Sequence, residues 1–297
     1  MWFPEVVDVP EAQRATGVVG MRFEDITQDG MLKVGGMPHA LGMIGFRKLF
    51  APTPLNRRTR EQGIVPILST LHMEGREGPV AVGNEFPVEA SYEVGHSLAP
   101  DESVDRIMLN MRAEVRGTRG VTHGPQPEGA GDLILAGRVY AEHVFTRPWG
   151  PREERQVRSL DLGQGPFVPP AVIPFRPPVE LLTPPAPVRW EGDEVRDPTP
   201  LCFGMSHTDS NQHVNSLIYP QLFEDAVLRA LAARGEDIAP LLVRSISLGF
   251  RKPCFAGEQV RIALRLFRCE ERWGAVAWLG TEGVALERAH CFCRLRF

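Results

Sequence analysis

The sequence predicts an α+β protein of two similar modules, each an antiparallel sheet curled round one helix. Three observations carry this reading. The chain has 297 residues, more than a typical single domain of roughly 100–150. An order of strand, helix and four strands occurs twice, in residues 1–147 and 200–297. Between them residues 148–199 show little regular pattern. A long helix with an apolar face must be covered, and one sheet wrapped round it does so.

In the first module, residues 1–15 read as an irregular lead-in and Gly17–Asp25 as a strand. Gln28-Asp29-Gly30 is a turn signal. Pro38 suits the first position of a helix running through Leu41, Ile44, Phe46 and Leu49. Its Gly42 and Gly45 are poor helix formers, which points to close packing or a weak helix. Four strands follow: Ile64–Glu74, Val80–Val94, Asp105–Arg116 and Leu133–Thr146. The third alternates cleanly, Ile107, Leu109, Met111, Ala113 and Val115 against Met108, Asn110, Arg112 and Glu114, the period of a sheet with one covered face.

Thirteen of the 27 prolines lie in 147–200. Proline fixes φ and removes donors, so this stretch is extended connection, not sheet interior. Its Phe167, Val172, Ile173, Phe175, Leu181 and Leu182 suggest that it packs over a surface. The second module opens with an apolar strand, Leu201–Met205, running on to Thr208. A helix over Ser216–Arg234 carries Leu222, Phe223, Ala226, Val227, Ala230 and Leu231 at helical spacing, and Gly235 ends it. Strands follow at Leu242–Phe250, Gln259–Cys269, Trp273–Thr281 and Ala289–Phe297.

Composition narrows the classes. Hydrophobic content of 43% with 24% charge is that of a soluble globular protein, and a net charge of −4 argues against a nucleic-acid surface. No run approaches the ~20 apolar residues of a membrane span. Met1–Glu5 lacks the basic region and apolar core of a secretory signal. The five cysteines lie in the last third without a C-x-x-C pair. Structural zinc is not expected, and a reduced, cytoplasmic setting is. Cys291 and Cys293, two apart in a strand, share one face as small buried side chains. No metal cluster, phosphate loop or dinucleotide fingerprint is present, so no cofactor is inferred.

The chemistry concentrates in His207–Ser216, which packs Asp209, Asn211, His213 and Asn215 into a strand-to-helix turn. Free N–H groups and the positive end of the helix dipole suit a carbonyl oxygen or an anion there. Asp209 then suits a general base or nucleophile, Asn211 a residue that positions water or Asp209, and His213 one that polarises a carbonyl or orients the base. The N–H groups near Val214, Asn215 and Ser216 suit an oxyanion site. Plainer roles fit the same residues. Asp209 also suits a cap or turn brace, Asn211 a turn former, His213 a structural histidine and Asn215 a cap. Tyr219 suits packing, and no base is identifiable beside Cys254. In the first module Asp25 and Asp29 flank the turn without histidine or asparagine, so one site per chain is expected.

This element order, with Asp209-Ser-Asn-Gln-His-Val-Asn215 at the turn, resembles the hotdog-fold thioesterases, and most closely the acyl-acyl-carrier-protein thioesterases that join two hotdog modules in one chain. Their D-x-N-x-H-V-N is matched at Asp209, Asn211, His213, Val214 and Asn215. The D-x-x-G-H-V-N turn of the hydroxybenzoyl-coenzyme-A thioesterase group is also similar, with Gln212 in place of its glycine. Met21–Asp25 and the Gln28–Gly30 turn look like the family's N-terminal half. The resemblance implies a tandem (double) hotdog fold, hydrolysis of acyl-carrier-protein or coenzyme-A thioesters, and an N-terminal module that shapes the acyl pocket.

One departure stands out. Arg251, Lys252 and Cys254 match the family's basic pair and cysteine, but Pro253 replaces its proposed catalytic glutamate. Either Asp209 and His213 suffice, a carboxylate such as Glu258 substitutes, or hydrolysis is reduced or lost. Arg251 and Lys252 suit a phosphopantetheine phosphate or an acidic carrier protein, and equally suit solvated edge charges. Two other readings compete: a hotdog enoyl-thioester hydratase or dehydratase, whose D-x-N-P-x-H has one more residue between acid and histidine, and a non-catalytic acyl-binding protein. Monomer and homodimer both remain open.

Overall fold

The computed structural model of the chain describes residues 3–5, 7–281 and 286–297. Met1, Trp2 and Val6 of the expected lead-in lie outside them. The strands are β1 (Arg14–Val19), β2 (Val65–Gly75), β3 (Phe86–Leu98), β4 (Val104–Thr118) and β5 (Leu133–Thr146). Six two-residue strands follow: β6 (Leu160–Asp161), β7 (Pro166–Phe167), β8 (Ala171–Val172), β9 (Arg189–Trp190), β10 (Val195–Arg196) and β11 (Leu201–Cys202). The last four are β12 (Ser245–Phe250), β13 (Gln259–Cys269), β14 (Arg272–Gly280) and β15 (Cys291–Arg296). The helices are α1 (Met37–Ala40), which continues as a π-helix over Leu41–Phe50, then α2 (Pro54–Glu61) and α3 (Ile218–Ala232).

One sheet runs through the molecule in the order β1-β3-β4-β5-β2-β12-β15-β14-β13-β10. The two halves join where β2 pairs antiparallel with β12, with Met73 opposite Ile246 and His72 opposite Ser247. This is the double-hotdog fold, an α+β architecture in which the sheet wraps two helices. A single apolar core spans both halves, from Met37, Ile44 and Phe50 to Phe223, Val227 and Leu231.

The eight long strands after the first helix lie where the hydrophobic pattern puts them, apart from shifts at their ends. Four local expectations change. The first strand ends at Val19, and Phe23–Asp25 is a 3-10 turn. There the Asp25 carboxylate accepts the Arg22 backbone N–H and guanidinium, a local bond that outcompetes the ladder. The expected strand over Leu201–Met205 pairs only at Leu201 and Cys202. Met205–His207 is instead a 3-10 turn in which His207 Nδ1 accepts the Gly204 N–H at 3.0 Å.

The helix opening at Pro38 forms, but mostly with i→i+5 bonding, as from Ala51 N–H to the Phe46 carbonyl at 2.8 Å. A Cβ at Gly45 would meet Met111 and Ala90 of the sheet at ordinary contact distances of 3.5 and 3.7 Å and crowd only Leu41 Cδ1, at 3.1 Å in the same helix, whereas Gly42 faces open space. Finally, both faces of mid-β4 are covered, since Met108 and Asn110 on the outer face are also buried.

The cover on that outer face is the proline-rich stretch. Strand β8 runs parallel to β3 with Gly95 opposite Ala171, and the Ile173 N–H donates to the His96 carbonyl, while Val157 and Leu160 earlier in the stretch join the inner core. Any Cβ at Gly95 would come within 2.5 Å of the Ala171 carbonyl oxygen. Further along, Leu181 packs on Ala289 and Phe292. The stretch ends on α3 through an ion pair. Asp197, its side chain only 1% exposed, accepts Arg229 Nε at 3.0 Å and a second guanidinium N–H at 2.6 Å. No helix among the described residues is long and apolar enough to cross a membrane.

Candidate active site

Helix α3 carries the site-bearing turn on its N-terminus. Tyr219, Phe223, Ala226, Val227 and Leu231 bury its inner face, and Pro220 sits in the first turn, where no N–H is needed. Gly235, at φ 81°, ends it as expected. Under the turn lies an aromatic cluster. The Tyr219 ring meets Phe250 edge-on at 5.5 Å and Phe203 at 6.3 Å, while the His207 ring stacks edge-on to Phe203 at 5.8 Å. Tyr219 therefore packs, and His207 braces the turn.

The turn is a tight loop closed by a bridge between Thr208 and Val214. The Asp209 N–H donates to the His213 carbonyl at 3.2 Å, and the Gln212 N–H to the Asp209 carbonyl at 2.9 Å. Gln212 takes φ 66°, the left-handed region that favours glycine. The Asp209 carboxylate accepts the Asn211 N–H at 2.8 Å on Oδ1 and the Asn215 side-chain amide at 3.0 Å on Oδ2. It is fixed by these two bonds, and the structure thus assigns it the bracing role whatever else it does. The half-buried His213 has Nδ1 3.2 Å from the Val214 carbonyl. A carbonyl only accepts, so this contact puts the ring proton on Nδ1 and leaves the Nε2 lone pair free.

The expected oxyanion donors need correction. The Val214 N–H donates to the Cys254 carbonyl at 2.8 Å, and the Asn215 N–H to the His207 carbonyl at 2.9 Å. The Leu217 N–H donates to Asn215 Oδ1 at 2.8 Å. Turn closure takes the Asn215 N–H, the β12–β13 connection takes that of Val214, and a side-chain cap takes that of Leu217. Of the three named amides, Ser216 alone has no acceptor among the described residues. Arg251 and Lys252 are exposed, and both their N–H groups donate to the His290 carbonyl.

The first module repeats the backbone bonds that close this turn. Ile26 bridges Leu32 as Thr208 bridges Val214. The Thr27 N–H donates to the Met31 carbonyl, the Gly30 N–H to the Thr27 carbonyl, and the Lys33 N–H to the Asp25 carbonyl. Gly30, at φ 77°, holds the place of Gln212. The hydrogen bonds thus put Thr27 at the place of Asp209, Asp29 at that of Asn211, Met31 at that of His213 and Lys33 at that of Asn215. The backbone device occurs twice; the acid and the imidazole occur in the second copy.

A second polar group lies behind the turn. Cys254 Sγ is 3.0 Å from His290 Nδ1, whose ring Nε2 is 3.4 Å from Lys252 Nζ. Glu258 Oε2 lies 3.9 Å from His290 Nδ1 and accepts the Phe255 N–H at 3.2 Å. Burial pushes the Cys254 thiol up to about 11, against the smaller opposing effects of the Tyr219 hydroxyl and Lys252. It is a poor nucleophile in this state. Glu258, the carboxylate that could stand in for the residue at Pro253, therefore faces His290. His290 was missed in sequence because it lies 36 residues from Cys254 with no motif joining them; only the pairing of β12 with β15 brings them together.

Neither a family model nor a curated protein sequence matches the chain. Solved structures do match in fold. An assigned oleoyl thioesterase from Lactobacillus plantarum superposes with a TM-score of 0.60 at 10% identity over 96% of each chain. An acyl-ACP thioesterase from Bacteroides thetaiotaomicron gives 0.58 at 14% identity, covering 97% of this chain and 98% of its own. The 12:0-ACP thioesterase of Umbellularia californica gives 0.59 at 12% identity, covering 95% and 93%. At these identities the likeness establishes the fold.

Proposed function

We propose that the chain hydrolyses acyl thioesters to a free acid and a thiol. The observation that carries the reading is the asymmetry between the two equivalent turns. One fold-level device is present twice, and the second copy carries a braced carboxylate and a half-buried imidazole on the same turn. The double-hotdog likeness to three solved thioesterases supports the same chemistry.

In the proposed reaction Asp209 takes a proton from water, or attacks the thioester carbonyl itself. Asn215 and the Asn211 N–H hold it, and the His213 Nε2 lone pair is available to orient the water. The Ser216 N–H and the α3 N-terminus face the developing oxyanion. Collapse of the tetrahedral intermediate breaks the C–S bond. On the general-base route the proton held by Asp209 passes to the departing thiolate. On the nucleophile route the thiolate leaves an acyl-Asp209 anhydride, which water hydrolyses to the acid and free Asp209, with the remaining water proton going to the thiolate. A thiol with a pKa near ~8.5 needs little help to leave on either. The exposed Arg251 fits a phosphopantetheine phosphate or an acidic carrier surface, which leaves acyl-carrier-protein and coenzyme-A esters as the two substrate classes.

We also propose that residues 1–147, 148–199 and 200–297 are the N-terminal module, the connecting stretch and the site-bearing module. Pro253, in place of the related enzymes' glutamate, and the bracing of Asp209 support the non-catalytic acyl-binding reading. A panel of acyl-carrier-protein, acyl-CoA and enoyl-CoA esters, with thiol release and double-bond hydration read separately, tests these readings. Thiol release is expected; hydration alone, or binding without turnover, overturns hydrolysis.

A further inference from the structure

We propose that Cys254, Glu258 and His290 form a binding site for a thiophilic divalent cation, with zinc as the fitting occupant. Their ligand atoms, one thiol sulfur, one imidazole nitrogen and one carboxylate oxygen, all lie within 4.8 Å of one another. They come from two separate segments, the connection from β12 to β13 and the residue preceding β15. Thiolate, imidazole and carboxylate together suit zinc better than calcium or magnesium, which take oxygen ligands.

The spacing is close to what a tetrahedral ion needs. Zinc–ligand bonds of ~2.0–2.3 Å separate neighbouring ligand atoms by about 3.3–3.6 Å. Here the sulfur and Nδ1 are 3.0 Å apart, and Nδ1 and the carboxylate oxygen 3.9 Å. The first must open and the second close by about half an ångström. Three protein ligands would leave the fourth position for water.

The groups are held from behind. The Cys254 carbonyl accepts the Val214 N–H, and the His290 carbonyl accepts two backbone N–H groups. Cys254 is fully buried and His290 is 2% exposed, so a substrate carbonyl has no approach to the thiol. An ion does, from the side where Glu258 is 31% exposed and Lys252 reaches solvent.

The charges balance. Binding releases the Cys254 thiol proton, and the thiolate and Glu258 carboxylate offset the two positive charges. The His290 ring stays neutral by moving its proton from Nδ1 to Nε2, and Lys252 swings away into solvent. Lys252 thus opposes binding. Through the Val214–Cys254 hydrogen bond the ion would stiffen the Asp209 turn from behind. The site does not depend on that turn being hydrolytic.

The test uses the full chain, chelator-treated and then titrated with zinc by calorimetry and with cobalt by absorbance. One equivalent of each is expected, with thiolate-to-cobalt charge-transfer absorption. Cys254→Ser removes that absorption, Glu258→Gln weakens zinc binding at least about tenfold, and Lys252→Met tightens it. Cys202→Ser, which removes an exposed thiol elsewhere, leaves binding unchanged. Circular dichroism checks folding, and Glu258→Gln carries the test if Cys254→Ser does not fold. Absence of stoichiometric binding, or binding untouched by both ligand substitutions, overturns the site.

Discussion

Replacing His72 by glutamine should flatten the acid side of the stability curve. His72 lies at the junction of the two halves, its Nδ1 2.8 Å from Ser247 Oγ and its ring 6.0 Å from Tyr140. Burial, then the positive charges of Arg294 and Arg176, hold its pKa down from 6.5 to about 3. Above pH 6.5 the ring is neutral in both folded and unfolded chains and contributes nothing to the pH dependence. As pH falls below that value the unfolded chain takes up a proton that the folded chain refuses, so stability is lost. At about pH 5 the loss is ~1.5 pH units' worth of protonation, or about 2 kcal/mol. That is an upper bound, because His72 is only half-buried.

His143, held down to about 4 chiefly by burial and against the pull of the Leu109 and Ala141 carbonyls, behaves alike. Urea unfolding at about pH 8 and about pH 5 reads the difference. His72→Gln should shrink the parent's loss between these pH values by up to about 2 kcal/mol. An unchanged pH slope in both His72→Gln and His143→Gln would refute the argument. It would mean that the proline-rich stretch bearing Arg176 does not dry the outer face of the sheet.

Three further outcomes follow from the geometry. Gln212→Gly, placing glycine at φ 66° as Gly30 is in the first module, should raise stability by about 0.5–1 kcal/mol; a lower urea midpoint contradicts the strain at this turn. Arg229→Met leaves the Asp197 carboxylate buried without its partner, and should cost about 2 kcal/mol. That lies below the ~3–5 of a closed pair, since Arg229 is 39% exposed. Asn215→Ala removes the amide that holds Asp209 Oδ2, and should lower kcat roughly ten- to a hundredfold with a smaller change in KM.

The framework was legible because alternation and helical spacing survive in the sequence. Ile107 through Val115 in β4 and Phe223 through Leu231 in α3 each mark their buried face directly. Where local side-chain bonds compete with the ladder, the pattern misleads. Arg22 and Asp25 turn an apparent strand into a 3-10 turn, and His207 does the same before Asp209. Tertiary cover is invisible to periodicity as well: Met108 reads as solvent-facing and is buried, and Gly95, its partner on β3, has Ala171 and Ile173 of the proline-rich stretch packed against it.

At the site, the residue types and spacing of Asp209–Asn215 were readable, but their hydrogen-bond partners were not. The N–H groups of Val214 and Asn215 looked free; the first donates to the Cys254 carbonyl in the β12–β13 connection and the second closes the turn on His207. The equivalence of Thr27 with Asp209 emerges from matched hydrogen bonds, since the two turns share almost no side-chain chemistry. His290 meets Cys254 by strand pairing, which no local spacing encodes.

Turnover by Asp209→Asn tests the central claim most directly. Single-turnover hydrolysis of an acyl thioester accepted by the parent should fall by at least ~100-fold, with the folded state verified by thermal melting. A rate within threefold (~0.6 kcal/mol) of the parent's would contradict the account and leave Asp209 as a brace of the turn alone.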